Sequence, residues 1–148
     1  MSLLDSISQS IEIKLYYKEI VNQYGVRAIK IIPDEIAEEK LTSSKESSEE
    51  QIKLLVTTWK ILSWKDDNDI VRDATKTDVI SGNASFNAFL YRDLKVKKCI
   101  IGWDMKDNDG KDIPFSPEIL DKMPADIMYA LINKYEKITS MNEEEIKN

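Results

Sequence analysis

The chain has 148 residues, of which 42% are hydrophobic and 32% are charged, and this composition is typical of one soluble globular domain. Its formal net charge of −6 disfavours binding to nucleic acid, which depends mainly on Lys and Arg. No apolar run approaches the roughly 18 residues that cross a bilayer, so we expect neither a nucleic acid nor a membrane as partner. Histidine is absent from the sequence, which removes the commonest general base and metal ligand and disfavours an enzyme.

Two features bear on the compartment. Residues 1–10 lack the basic start and the apolar centre of a signal peptide. The lone cysteine, Cys99, cannot form an internal disulfide. We therefore expect a cytoplasmic protein.

The N-terminal part predicts a small β element followed by a short helix. Ile11–Tyr17 partly alternates apolar and polar residues, and Val26–Ile32 is rich in β-branched residues, so both segments favour strands. A helix over Ile11–Gln23 is the competing interpretation, because its apolar residues also fit a 3.6-residue period. Pro33, followed by two acidic residues, predicts a helix that runs to about Leu41. The polar stretch at about 42–50 predicts a mobile surface loop.

The middle of the chain favours a helix and then a polar connection. Ser47 and Glu50 have the spacing of a capping box. The apolar residues after them recur at helical spacing, although their β-branched neighbours leave a strand open: Ile52, Leu55, Val56, Trp59 and Leu62. Trp59 and Trp64 are expected in or at the edge of the core. Residues 65–85 predict a connection with at most one short strand near Asp69–Arg72.

A further helix is predicted from Ser85, as its N-cap, to about Ile101, with Gly102 ending it. Its basic residues are interpreted as a solvated helix face: Arg92, Lys95, Lys97 and Lys98. Cys99 lies at the apolar end of this helix, where a buried thiol usually serves packing.

The segment Asp107-Asn108-Asp109-Gly110 has part of the pattern of a calcium-binding loop. With Gly110 at the sixth position, Met105 and Ser116 stand where the first and twelfth ligands belong, and neither supplies the oxygen that an EF-hand loop uses there. An Asp-Gly turn between two short extended segments explains the same residues. We therefore predict a turn and no metal site.

The C-terminal part predicts two helices. Ser116-Pro117-Glu118 has the order of cap, proline and acid that starts a helix, here a short one to Met123. Pro124 predicts the start of the last helix, whose apolar stripe either packs into the protein's own core or contacts a partner. The candidate contact residues are Ile127, Met128, Leu131, Ile132 and Tyr135, with Ile138 also on the stripe. The residues from about 140 to 148 predict a frayed acidic tail.

The order of motifs from Tyr91 to Glu136 resembles a pattern in small proteins of tailed bacteriophages. A helix leads to Gly-Trp, a short Asp/Gly hairpin, a Pro-Phe stretch and a helix that begins near Met-Pro. The resemblance covers the last third of the chain through Trp103, Gly110, Pro114, Pro117 and Pro124. These proteins look like tail assembly chaperones or other products of the tail gene region.

The resemblance implies no catalytic residue and no cofactor. It implies that the protein binds other phage tail proteins, possibly the tape-measure protein, in the host cytoplasm. The alternatives are a structural component of the virion, such as a tail or neck protein, and a phage-encoded inhibitor of a host defence protein. A homo-oligomer is left open. The fold class that we predict is α+β in a single domain over residues 1–148, with a small N-terminal β element and a mainly helical C-terminal part that carries the Asp-Gly hairpin.

Overall fold

A computed structural model describes residues 9–42 and 51–140. The described chain contains six strands and five helices, which confirms the α+β class. In chain order they are β1 (Ser10–Val21), β2 (Arg27–Ile32), α1 (Asp34–Thr42), β3 (Lys53–Lys60), α2 (Trp64–Asp73), β4 (Thr75–Thr77), β5 (Ala84–Phe86), α3 (Ala88–Cys99), β6 (Ile100–Trp103), α4 (Pro117–Asp121) and α5 (Ala125–Thr139). The larger sheet has the strand order β2-β1-β3-β6, and β4 pairs with β5 in a separate two-stranded sheet.

The chain divides into two compact units, each built from two separated stretches of sequence. We call residues 12–57 with 103–140 the sheet unit, and residues 58–102, together with the described residues before Glu12, the hairpin unit. The predicted single domain stays a prediction.

In the sheet unit, the predicted strand pair is confirmed and the competing helix over Ile11–Gln23 is wrong. β1 and β2 are antiparallel, with Tyr16 opposite Ile32 and Val21 opposite Arg27. The connection between them is fixed by Asn22, whose side-chain oxygen accepts the N–H groups of Tyr24 and Val26 at 2.9 and 3.0 Å. Such local bonding is the reason that Asn favours turns.

The helices predicted at Pro33, Ser116 and Pro124 are all present. α1 begins directly after Pro33, and its buried Ala37 packs with Ile32, Ile52 and Tyr16. The Ser116 hydroxyl oxygen accepts the N–H of Ile119 at 3.2 Å and so caps α4. α5 packs against β2 through its buried face. Thr42 closes α1, so of the loop predicted at about 42–50, residues 43–50 lie outside the described residues, as do residues 141–148 of the predicted tail.

The helix predicted from Ile52 to Leu62 is wrong, since this segment forms β3. Leu55, Thr57 and Trp59 are buried at every second position, which is the period of a strand. Within the sheet unit the Thr57 hydroxyl donates to the carbonyl oxygen of Ile13 at 3.0 Å. The capping box at Ser47 and Glu50 lies outside the described residues.

The hairpin unit departs furthest from the sequence interpretation. The polar connection predicted over residues 65–85, with at most one short strand near Asp69–Arg72, is wrong, because α2 occupies its first half. Ser63 caps this helix by accepting the N–H of Asp66 at 3.2 Å, and Lys65 pairs with Asp69 at 2.9 Å. Ile70 supplies its buried contact, whereas Trp64 is exposed rather than in the core.

The bounds predicted for the next helix are also wrong. β5 pairs with β4 as far as Phe86, so α3 begins only after Asn87, whose side chain accepts the N–H of Leu90 at 3.0 Å. The helix ends at Cys99, before the Gly102 that was expected to end it. Ile100 and Ile101 belong to β6, in line with the preference of β-branched residues for extended backbone.

Candidate functional site

The partner contacts predicted on α5 lie mostly in the interior. Ile127, Leu131 and Tyr135 are buried, with Leu131 at 0% exposure, while Met128 and Ile132 are half-buried. The buried stripe therefore packs into this protein's own core, which corrects the assignment of those three side chains as partner contacts. Their spacing fits both roles because the core and a partner select the same apolar periodicity.

A different apolar feature is exposed in the hairpin unit, at the end of the β4–β5 hairpin. β4 and β5 are antiparallel, with Thr75 opposite Phe86 and Thr77 opposite Ala84. We call residues 78–83, which connect the two strands, the hairpin tip. Its two apolar residues, Val79 and Ile80, are 95% and 98% exposed.

The hairpin tip is closed by hydrogen bonds that centre on Asp78. The Asp78 N–H donates to the Asn83 carbonyl oxygen, and the Gly82 N–H donates to the Asp78 carbonyl oxygen, both at 2.8 Å. The Asp78 carboxylate accepts the Ile80 N–H at 2.9 Å. Gly82 has φ of +73°, which a residue with a side chain rarely adopts. These bonds close the tip in a defined turn.

The same bonds act on the charge of Asp78. Hydrogen bonds from the Ile80 amide and then from Ser81 lower the pKa of the Asp78 carboxyl group. The lowered pKa keeps the group ionised at neutral pH, and the negative charge of the carboxylate strengthens the hydrogen bonds that it accepts.

The base of the hairpin is tied to the end of α2. The Thr75 hydroxyl donates to the Val71 carbonyl oxygen at 2.6 Å, and the Asn87 N–H donates to the Ala74 carbonyl oxygen at 2.9 Å. Ala74 itself is buried. The hairpin is thus fixed at its base and closed at its tip, so Val79 and Ile80 are presented on an ordered support.

Beyond the hairpin, the start of α3 carries exposed aromatic residues. Phe89 is 76% exposed, and the Arg92 guanidinium carbon lies 5.8 Å from the centre of its ring. The ring of Phe86 lies 5.5 Å from that of Tyr91. Arg92, which was predicted as part of a solvated basic face, therefore lies over the aromatic ring of Phe89.

Polar contacts connect α2 with α3. The Tyr91 hydroxyl donates to the Asp67 carboxylate at 2.5 Å, and this bond, followed by partial burial, raises the pKa of Tyr91 to about 12. The Lys98 amine lies 3.5 Å from a carboxylate oxygen of Asp66. The Tyr91 hydroxyl group therefore stays protonated and acts as a hydrogen-bond donor. Its role in the structure is to join the two helices.

The acidic residues of the Asp-Gly hairpin serve its turn, which confirms the predicted turn. One Asp107 carboxylate oxygen accepts the N–H groups of Asp109 and Lys111 at 2.8 and 3.0 Å, and Gly110 has φ of +80°. Lys106 pairs with Asp112 at 2.8 Å. Within residues 9–42 and 51–140, no three acidic, Cys or His side chains are grouped so as to hold a metal ion. Cys99 is buried.

Comparison with known proteins gives no relative: no protein-family model, no curated protein and no solved structure matches the chain. In the part of the chain that the structure describes, every helix is too short or too polar to span a bilayer.

The hairpin tip was missed in the sequence, although a signal for it exists. Asp78 and the Ser81-Gly82-Asn83 run are turn-forming residues, and Thr-rich and Phe-containing segments flank them. Two adjacent apolar residues between turn formers are hard to place in a core, because each turn residue holds the backbone at the surface.

Proposed function

We propose that this protein acts without catalysis, by binding another protein through the hairpin tip, and that it does so in the assembly of a bacteriophage tail. The observation that carries the first part is the near-complete exposure of Val79 and Ile80 on a hydrogen-bonded turn. The resemblance of the last third of the chain to small phage tail-region proteins supports the second part.

The exposure of Val79 and Ile80 favours a protein partner on energetic grounds. Full burial of an aliphatic side chain of this size contributes about 1.5–3 kcal/mol, and at the tip this contribution is not realised within the described chain. The cost of ordering is already met, because the turn is closed before any partner arrives. A short rigid apolar projection fits an apolar pocket or the seam of a helix on another protein.

In tail assembly, the partner of the hairpin tip is another tail protein with exposed apolar surface. A chaperone of the tail would cover apolar surface on a tape-measure or similar tail protein until the tube polymerises around it. The exposed apolar tip supplies such a contact, and the net charge of −6 favours solubility of the complex. We place this activity in the host cytoplasm.

The test is co-expression with the tape-measure protein of the same genome. Three forms are compared: the wild type, a tip variant with Val79→Ser and Ile80→Ser, and a control with Val21→Ser and Val26→Ser. The control residues are also exposed valines, located where β1 and β2 connect. We expect the tape-measure protein to stay soluble with the wild type and the control and to precipitate with the tip variant. Equal solubility with all three forms would refute the role of the tip.

The setting is tested separately by mass spectrometry of purified particles. A chaperone is absent from mature particles, so detection of the protein at stoichiometric level would identify a virion component instead. A normal particle yield after deletion of the gene would contradict both roles and point to an inhibitor of a host protein.

A further inference from the structure

The sheet unit contains a groove where β1 extends beyond the end of β2. β1 is twelve residues long, but its pairing with β2 begins only at Tyr16 opposite Ile32. β2 ends there and the chain turns into α1 at Asp34. The part of β1 before Tyr16 therefore has no β2 beside it. A groove of ≈ 400 Å³ occupies this position, lined by Glu12, Ile13, Lys14, Asp34, Lys134, Lys137 and Ile138.

The direction of the backbone groups in this part of β1 follows from the ladder. The Asn22 N–H donates to the Val26 carbonyl oxygen, and hydrogen-bonded pairs alternate along an antiparallel ladder. Every second residue of β1, counted from Asn22 back to Tyr16, thus directs its N–H and C=O toward β2. Lys14 and Glu12 continue this series into the groove. Among the strands that the structure describes, only β2 lies on this side of β1.

One of these backbone groups already has a substitute partner. The Lys134 amine donates to the Lys14 carbonyl oxygen at 2.6 Å and to the Asp34 carboxylate at 2.6 Å. A side chain of α5 thus satisfies a carbonyl group that a neighbouring strand would otherwise satisfy. This agrees with the direction deduced for Lys14, and it shows that the groove presents a strand edge.

The wall of the groove that α5 forms is basic and partly apolar. Lys134, Lys137 and Ile138 share one face of α5, because residues three and four positions apart are neighbours on a helix. Ile138 is 52% exposed, while Ile13 is buried beneath the groove. The three lysines outnumber the two carboxylates by one, so the groove is locally positive on a chain whose net charge is −6.

We propose that this groove binds an extended, acidic segment of a partner protein, which adds to β1 as a strand beside Glu12 and Lys14. A backbone N–H of the segment replaces the Lys134 amine at the Lys14 carbonyl oxygen, and an acidic side chain of the segment takes the released ammonium group. Side chains of a strand alternate between faces, so an acidic residue and an aliphatic residue two positions away face Lys137 and Ile138. This site is independent of the hairpin tip.

The experiment uses the full chain as bait in a display selection of random octapeptides, followed by affinity measurement on an enriched peptide. We expect enriched sequences with an acidic and an aliphatic residue at positions i and i+2. Methylation of alternate backbone nitrogens then gives two peptide series. One series should lose roughly tenfold or more in affinity, because a strand directs only every second residue to its neighbour, and the other should bind unchanged.

Matched variants locate the binding. Lys137→Glu should weaken the enriched peptide at least tenfold, whereas Lys122→Glu, the same charge change at an exposed residue after α4, should not. The tip variant with Val79→Ser and Ile80→Ser should bind it normally, which separates this proposal from the proposed function. No enrichment, equal binding by both methylated series, or full binding by Lys137→Glu would overturn the proposal. Self-association of the chain that blocks the peptide would identify a second copy as the occupant and would overturn it as well.

Discussion

Replacing Tyr91 with phenylalanine removes one hydroxyl group and leaves the ring in place. In the wild type this hydroxyl donates to the Asp67 carboxylate at 2.5 Å and joins α3 to α2. A hydrogen bond to a charged group contributes roughly 1.5–3 kcal/mol. Because Tyr91 is only half-buried, solvent screening reduces this to about 1–2 kcal/mol. We expect Tyr91→Phe to lower the free energy of unfolding by that amount at pH 8.

The difference in free energy of unfolding between the wild type and Tyr91→Phe should also depend on pH. The Asp67 hydrogen bond raises the pKa of Tyr91 from 10.0 to about 12 in the folded state. The folded protein thus keeps a proton that the unfolded chain loses, so the stabilisation is fully present below pH 10 and is lost as the pH rises toward 12. At pH 7–9 the free energy of unfolding of the wild type should exceed that of Tyr91→Phe by a constant amount. Above pH 10 this difference should decrease.

Urea denaturation followed by circular dichroism measures both effects. Tyr24→Phe is the control, since Tyr24 is largely exposed and lies in the connection between β1 and β2, and it should change stability by less than about 0.5 kcal/mol. The reasoning would be refuted if Tyr91→Phe were as stable as the wild type at pH 8. If the difference in free energy of unfolding increased above pH 10, folding would not raise the pKa of Tyr91 as described.

Three further outcomes follow from the sheet unit. Leu131→Ala should lower the free energy of unfolding, measured by urea denaturation, by about 2–5 kcal/mol because Leu131 is fully buried. Ile138→Ala, on the exposed side of the same helix, should lower it far less. Equal effects of the two substitutions would contradict the core assignment of α5. Asp107→Ala should lower stability by about 1 kcal/mol, because two backbone N–H groups lose their acceptor, and Asp109→Ala should be close to neutral in the same assay. Calorimetric titration with calcium should give no saturable heat, and a saturable signal lost in Asp107→Ala would reverse the interpretation of the turn.

The elements that could be predicted from sequence are those with local signals. The β1–β2 pair has a turn at Asn22 and Gly25, and α1, α4 and α5 start at or beside a proline with acidic residues next to it. Each signal acts within about four residues, so no knowledge of the rest of the chain is needed.

The elements that were missed depend on distant contacts or on weak apolar patterns. Residues 52–62 fit both a 3.6-residue and a 2-residue period, and the hydrogen bond from Thr57 to Ile13, 44 residues away, belongs to the strand. α2 has only Ile70 as a buried residue, so its support comes from the Ser63 cap and from ion pairs such as that of Lys65 with Asp69.

The candidate site shows the same limit. The apolar stripe on α5 could be found by its period, but the period does not state whether the stripe faces the core or a partner. For Val79 and Ile80 the decisive quantity is exposure, which depends on the pairing of β4 with β5. The turn residues around them carry the signal, and the strands on either side are only three residues long.

The central claim is that the protein works through the exposed tip of the β4–β5 hairpin. It is tested most directly by measuring the dissociation constant of the tape-measure complex, by calorimetry, for the tip variant and for the Val21→Ser, Val26→Ser control. Because two aliphatic side chains lose their burial, we predict that the tip variant binds at least about thirtyfold more weakly than the wild type, while the control binds within about twofold of it. Equal dissociation constants for the tip variant and the wild type would contradict the account.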